Sequence, residues 1–266
     1  MRVPVHCLAA LVALAFCPGF SSEIQAQQPA SPQPLNSSVS DYGTTFIFSP
    51  APICAQCVET ESGFESVSGG SLLLPAVVSI APFKTNTDLS VLVNLVDSES
   101  AAGHRTTQFG NRFDFVVRQQ VFAKGNFLLS VAPRGAVFTR SVEGGRAGAA
   151  LAPQFSTGKN LLAANFAWTG AIGASAANPR SDYQGFADYF RTLDSRGTGL
   201  FAGFAHEFTA GQQTVATEEG LILPFRNGQV EVETAQLDLN TKPQWQFQTR
   251  VTVNWGKVLS RTGKNK

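Results

Sequence analysis

Residues that could do chemistry are few in this sequence, and none of them completes a catalytic motif. His206 and Glu207 begin a pattern like HExxH, but Ala210 stands where the second zinc-ligating histidine is required. His206 with a nearby Ser or Asp as partner could still act as a general base, so a hydrolase stays open as an alternative. A single histidine in a strand is more often a structural residue. We therefore predict no catalytic residue, no metal ligand and no cofactor-binding residue.

Two glycine-containing segments share only composition with nucleotide-binding loops. Gly197–Gly199 opens a predicted strand, whereas a dinucleotide-binding loop follows a strand and opens a helix. Ser156–Lys159 lacks the spacing of a phosphate-binding loop and fits a turn. The net charge is +1 and the basic residues do not cluster. We therefore expect neither a nucleotide cofactor nor nucleic acid as a partner.

The N-terminal segment has the pattern of an export signal. Arg2 precedes the apolar segment Cys7–Phe16, and a small residue suited to cleavage follows at Ala26. We predict a cleaved signal peptide over 1–26 and a flexible leader over 27–42, because the second segment is rich in Pro, Ser and Gln. No later segment approaches the ~20 apolar residues that a membrane-spanning helix needs.

Cys54 and Cys57 are the two cysteines that remain after the predicted signal peptide. In an exported protein such a pair favours a disulfide over a metal site, because two further ligands are absent. A redox-active CxxC motif would open a helix in a βαβ context, which the sequence does not offer. We predict a structural disulfide, located in the first outer loop of the architecture described next.

Strict alternation of apolar and polar residues marks the segment Trp245–Trp255. One parity carries Trp245, Phe247, Val251 and Trp255 among its members, and the other is polar. This is the period of a β-strand with two different faces. Its eleven residues match the ~9–11 that a tilted strand needs to cross a bilayer, and aromatic residues close both ends of the apolar face.

The same alternation recurs upstream between turn-like Gly, Asn and Pro clusters. The eleven predicted strands are Leu72–Phe83, Asp88–Asp97, Arg112–Val121, Phe127–Arg140, Ala147–Phe155, Leu161–Gly170, Asp182–Leu193, Thr198–Phe208, Thr214–Phe225, Gln229–Leu239 and Trp245–Trp255. A closed bacterial barrel has an even number of strands, and Gly43–Ser49 can supply the twelfth. The connections Ser98–Gly110 and Gly173–Ser181 are expected to be the long outer loops.

These patterns predict an all-β protein: a closed antiparallel transmembrane β-barrel over 43–256, with about 12 strands and 10 as the fallback. A basic C-terminal tail would follow over 257–266. The alternative is a secreted β-sandwich, whose solvent-facing sides would accept lysine freely. Here all seven lysines fall in predicted turns or the tail, and the strands are longer than the ~5–6 residues common in soluble sheets.

In such a barrel the polar parity faces the lumen and the apolar parity faces lipid. The predicted lumen-lining residues are Arg112, Asp114, Arg118, Arg134, Arg140, Glu231, Glu233, Gln246, Gln248 and Arg250. Further acidic residues on this parity are Asp238 and one of Glu218 or Glu219. The predicted aromatic girdle consists of Trp168, Trp245 and Trp255. The charges either brace a closed lumen or form a constriction that selects solutes, and both readings stay open.

The segments Phe83–Leu95, Glu218–Gln229 and Trp245–Trp255 resemble bacterial outer-membrane β-barrels of the transporter-like kind. Among these the chain is most similar to the family described as a putative phenol-degradation (MetA) pathway barrel. The resemblance implies a passive channel or transporter for small, aromatic solutes in the cell outer membrane. Arg134, on a strand with no acidic residue, adds an expected preference for anionic solutes.

Three readings of the function follow from the sequence. The first is the solute channel, whose partners would be outer-membrane lipid, small solutes and the barrel-insertion machinery. The second is a closed structural or adhesive barrel that acts through its outer loops. The third is an outer-membrane lipid hydrolase.

Overall fold

The alternating segments fold into strands, which a computed structural model of the chain places in one continuous sheet. The structure describes residues 53–68, 70–82, 86–101, 104–110, 112–138, 145–172, 181–209, 212–237, 239 and 243–256. The strands are β1 (Val58–Val67), β2 (Leu72–Ile80), β3 (Thr87–Ala101), β4 (His104–Gln108), β5 (Arg112–Lys124), β6 (Phe127–Phe138), β7 (Gly145–Thr157), β8 (Asn160–Ile172), β9 (Ser181–Thr192), β10 (Gly199–Thr209), β11 (Gln212–Phe225), β12 (Gly228–Leu237) and β13 (Gln244–Asn254).

The sheet closes on itself, because β1 pairs with β13 on one side and with β2 on the other. All neighbouring strands are antiparallel, and β2 also pairs with β3. Strands β4 and β5 pair with successive parts of β3 and share one position in the ring. The result is a closed antiparallel barrel of twelve strand positions, which confirms the predicted fold and strand number.

One end of the barrel is built from tight turns, and we call it the turn end. Gly125–Asn126, Gly158–Lys159 and Arg226–Asn227 each join two strands there. Gly125 and Gly158 adopt φ values of 58° and 55°, a conformation that suits a two-residue hairpin turn and favours glycine. The first residue of β1 and the last of β13 also lie at this end. The opposite end is the loop end.

Burial alternates along the strands as the sequence pattern predicts. On β13 the even-numbered residues from Gln246 to Thr252 are buried, whereas Trp245, Phe247 and Val251 are exposed. The inward parity is therefore polar and the outward parity apolar, the reverse of a soluble protein core. Small apolar residues such as Ala132 and Ala152 form an inward strip on β6 and β7. Among the described residues no helix is long and apolar enough to cross a membrane.

The first strand differs from the prediction. The strand that precedes Leu72 is Val58–Val67, paired with β2, whereas the predicted Gly43–Ser49 lies outside the described residues. The sequence of β1 is VETESGFESV, whose outward parity is mostly Thr and Ser. It therefore lacks the apolar alternation by which the other strands were recognised.

The predicted outer loop Ser98–Gly110 is mostly strand. β3 continues to Ala101, and β4 returns from His104 to Gln108. Polar contacts support this extension, since the hydroxyl groups of Ser98 and Thr107 lie 3.1 Å apart. The prediction of a loop was wrong because a hydrophilic hairpin carries no apolar alternation to reveal it.

Candidate functional site

The barrel interior is the candidate site, because the inward parity brings charged side chains from most strands together. Nine of the predicted lumen-lining residues are buried on this parity: Arg112, Asp114, Arg118, Arg134, Glu231, Glu233, Gln246, Gln248 and Arg250. The tenth, Arg140, lies outside the described residues, as does the predicted inward residue Asp238. Of the two candidates on β11, Glu218 is buried and Glu219 is exposed on the outward parity.

Ion pairs between β3 and β5, within β5, and between β7 and β9 hold three of the buried arginines. Arg118 Nε donates to both carboxylate oxygens of Asp88, each at 3.1 Å, and its Nη2 contacts Asp88 as well. Arg112 contacts Asp114 at 2.6 Å, and Arg146 pairs with Asp182. A bidentate pair of this kind fixes the guanidinium plane and the carboxylate together.

On the opposite side of the barrel one arginine, Arg250, pairs with three carboxylates. Arg250 Nη1 lies 3.6 Å from Glu61 Oε1, and Nη2 lies 3.7 Å from Glu231 Oε1 and 3.3 Å from Glu233 Oε2. Gln248 Nε2 adds a 3.4 Å contact to Glu233. The side chains come from β1, β12 and β13, so this cluster joins the strands that close the barrel.

Acidic groups outnumber basic groups inside the described barrel. The buried ionisable side chains are ten carboxylates (Glu59, Glu61, Glu65, Asp88, Asp114, Asp182, Asp188, Glu218, Glu231 and Glu233) and five arginines (Arg112, Arg118, Arg134, Arg146 and Arg250). Four of the arginines lie on β5, β6 and β7, whereas eight of the carboxylates lie on β9, β11, β12 and β1. By formal count the described interior therefore has an excess of carboxylates over arginines, and we call the side formed by β9, β11, β12 and β1 the acidic wall.

An apolar cluster lies inside the barrel toward the turn end of β8 to β11. The rings of Phe190 and Phe201 are 5.6 Å apart between centroids and tilted against each other. Ala163 and Ile222 pack with them, and all four side chains are buried. This cluster forms an apolar floor beneath the acidic wall.

The tryptophans predicted as a girdle lie on the outward parity. Trp245 and Trp255 are exposed at opposite ends of β13, and the indole of Trp255 donates to Thr60 Oγ1 at 2.9 Å. Trp168 is half-buried near the loop end of β8. Their position matches the edges of an apolar band, although the girdle itself stays a prediction.

Cys54 and Cys57 are joined by a disulfide that lies just before β1. Its location at the turn end, where Cys57 O accepts from Ala81 N at 3.0 Å, replaces the predicted position in an outer loop. The error follows from the first strand, because Gly43–Ser49 would have ended at the loop end. From the same segment Ile53 N donates to Asp88 Oδ2 at 2.8 Å.

His206 stands on the outward parity of β10, next to the inward Glu207. It therefore lies on the opposite face of the strand from the buried charges. Among the described residues no group of three or more His, Cys, Asp or Glu side chains is arranged to hold a metal ion.

Sequence reasoning missed several interior residues, chiefly Glu59, Glu61 and Glu65 on β1 and Asp88, Arg146, Asp182 and Asp188 on other strands. Asp88, Arg146, Asp182 and Asp188 lie on or beside predicted strands, so their inward parity could have identified them as interior residues. For the β1 glutamates the signal was their own spacing, because Glu59, Glu61 and Glu65 share one parity.

Solved structures share this architecture. The NanC porin is 9% identical, with a TM-score of 0.55, over 74% of this chain and 98% of its own. The chain has the fold of bacterial outer-membrane porins. The KdgM porin is 14% identical, with a TM-score of 0.52, over 73% of this chain and 98% of its own. No protein-family model matches the chain, and neither does any curated protein sequence.

Proposed function

We propose that this chain is an outer-membrane channel for small solutes. The turn end would face the periplasm and the loop end the outside, as in other barrels with short periplasmic turns. The outward parity, with Phe247 and Val251 between Trp245 and Trp255, would contact outer-membrane lipid. In this proposal the segment 1–26 directs export and is removed, and the barrel-insertion machinery places the chain in the membrane.

The observation that carries the proposal is the charged interior of a closed barrel. Burying an ion is costly unless it is paired or wet, so ten carboxylates with five arginines are a poor way to fill a purely structural core. Rings of charged side chains are the means by which pores select among ions and polar solutes. A twelve-strand barrel is also wider than the eight-strand kind that side chains fill completely.

The excess of carboxylates supports a preference for cationic over anionic solutes. This proposal replaces the preference expected from Arg134, because Arg134 is one of only five buried arginines in the described interior. The inward rings of Phe190 and Phe201 support an aromatic or apolar part of the solute. The resemblance to the phenol-degradation (MetA) pathway barrels agrees with that part and stays a proposal.

Single-channel recording tests the channel. Full-length mature protein, refolded and inserted into a planar bilayer, is expected to give discrete current steps in potassium chloride. Protein that migrates as a folded, heat-modifiable barrel yet gives no current would refute the channel.

A second candidate is a closed barrel with a structural or adhesive role, and the degree of burial favours it. Arg118 and Glu233 are each only 1% exposed, although both face the interior. A lumen sealed by such side chains would carry no current. The single-channel recording above therefore distinguishes a closed barrel from a channel.

A further inference from the structure

Three acidic side chains from three strands converge above one glycine inside the barrel. Gly203 on β10 pairs in register with Asp188 on β9 and with Glu218 on β11. A Cβ atom added to Gly203 would collide with Asp188 Oδ1 and would lie 2.7 Å from Glu218 Oε1. Both carboxylates therefore point into the space that the glycine leaves open. Glu233 on β12 contacts Glu218 as well.

The carboxylate of Glu218 adds a second observation, because it is buried and lacks a hydrogen-bond partner. Its side chain is 4% exposed, and neither of its carboxylate oxygens has a hydrogen-bond partner in the structure. Arg250 reaches Glu233 at 3.3 Å but forms no ion pair with Glu218. A buried carboxylate without a donor is costly, and two neighbouring carboxylates raise the cost further. A cation with hydrogen-bond donors would supply such a partner.

The surroundings distinguish between kinds of cation. The described acidic residues are not arranged to hold a metal ion. On β9 the inward positions are occupied in order by Phe186, Asp188 and Phe190, so an aromatic side chain lies on each side of the Asp188 carboxylate. Aromatic rings attract organic cations through the face of the ring, and they pack against an apolar substituent. A primary ammonium group offers three donors and fits three carboxylates.

Small side chains lie on the loop-end side of the three carboxylates. Ala205 and Ala216 face each other on β10 and β11, two residues above Gly203 and Glu218, and both are only partly buried. Toward the turn end the ring of Phe201 lies over Gly220, in the place that a Cβ atom would occupy, and closes the space. A solute entering from the loop end would thus stop at the carboxylates, above the phenylalanine floor.

We propose that Asp188, Glu218 and Glu233 bind the primary ammonium group of a small aromatic or apolar amine that enters from the loop end. The inference deepens the proposed channel function, because it names the chemical class of the solute. Phe186, Phe190 and Phe201 surround the apolar part of the amine, and the carboxylates accept hydrogen bonds from its nitrogen.

Calorimetric titration of full-length mature protein, refolded in detergent, with benzylamine tests the site. Wild-type protein is expected to bind benzylamine, and Glu218→Gln is expected to weaken binding at least tenfold. Glu219→Gln is the matched control, because it removes the same charge one residue away on the outward parity and leaves binding unchanged. Benzyltrimethylammonium, with the same charge but no N–H donor, is expected to bind at least tenfold more weakly than benzylamine.

Gly203→Ala provides a second variant that keeps every charge and fills the space, so it is also expected to weaken benzylamine binding at least tenfold. Heat-modifiable migration verifies that each variant is folded. Equal benzylamine binding by wild type, Glu218→Gln and Gly203→Ala would overturn the site, and so would tight binding of Ca²⁺ in place of benzylamine. Binding without single-channel current would refute the channel and leave the site, whereas current without binding would refute the site alone.

Discussion

Arg250 is the buried cation that contacts three of the eight carboxylates of the acidic wall. It is 2% exposed and lies within 3.7 Å of carboxylate oxygens of Glu61, Glu231 and Glu233. Removing one partner of a buried ion pair leaves an uncompensated charge, which is more harmful than replacing the whole pair. The role of Arg250 is therefore electrostatic compensation rather than packing alone.

Replacing Arg250 with Gln is expected to lower the free energy of unfolding by about 3–5 kcal/mol, because three glutamates lose their shared cation. Urea unfolding of the refolded barrel in lipid vesicles measures this change. Arg250→Lys keeps the charge and serves as control, with a smaller loss because lysine cannot make the same forked contacts. A fully stable Arg250→Gln protein would show that the glutamates do not need this partner.

The disulfide between Cys54 and Cys57 contributes less to the free energy of unfolding than Arg250 does, because it encloses only two residues. By the chain-entropy estimate so short a loop adds about 2 kcal/mol at most. The double variant Cys54→Ser with Cys57→Ser is therefore expected to fold and to keep heat-modifiable migration on gels. Failure of that variant to insert would show that the segment before β1 has a larger role than its covalent bond.

At the scale of the strand, the two faces of β13 make the clearest prediction. Val251 is 40% exposed on the outward parity, midway between Trp245 and Trp255. Val251→Arg places a charge near the middle of the lipid face and is expected to cost ~2–4 kcal/mol of folding free energy in a bilayer. Asn227→Arg adds the same charge in a turn and is expected to be neutral. Equal stability of both variants in urea unfolding would contradict the assignment of the faces.

How far the sequence predicts the strands depends on whether one face is apolar. β13 alternates between apolar and polar residues, so its location and inward parity could be predicted. β1 could not, because Thr60, Ser62 and Ser66 make its outward parity nearly as polar as its inward one. Its position is set by pairing with β2 and β13, which are distant in sequence.

The same distinction holds for the candidate site. Parity alone predicts that Arg118 and Glu233 face inward, but it does not predict which acids meet which arginines. Arg118 pairs with Asp88, thirty residues away, and Arg250 with Glu61, because strand register and barrel closure bring them together. Gly203 could not be singled out from the sequence pattern. Its lack of a side chain is what allows the carboxylates of Asp188 and Glu218 to approach each other.

At the scale of the whole molecule, the closed barrel with an apolar outer face predicts where the protein resides. Mature protein is expected in the outer-membrane fraction, and it should migrate faster on gels before boiling than after. The physical reason is that the outward side chains are largely apolar. They would be exposed to water in a soluble protein, whereas lipid would cover them in a bilayer. Recovery in the soluble periplasm without a heat-dependent shift would rule out membrane insertion.

The interior as a whole carries ten buried carboxylates against five arginines in the described strands, and this imbalance is the basis of the proposed cation preference. The most direct test is the reversal potential of the single channel across a tenfold gradient of potassium chloride. We expect a reversal potential whose sign reports potassium as the more permeant ion. A reversal potential of the opposite sign, which reports chloride, would contradict the account, and so would a folded barrel that carries no current at all.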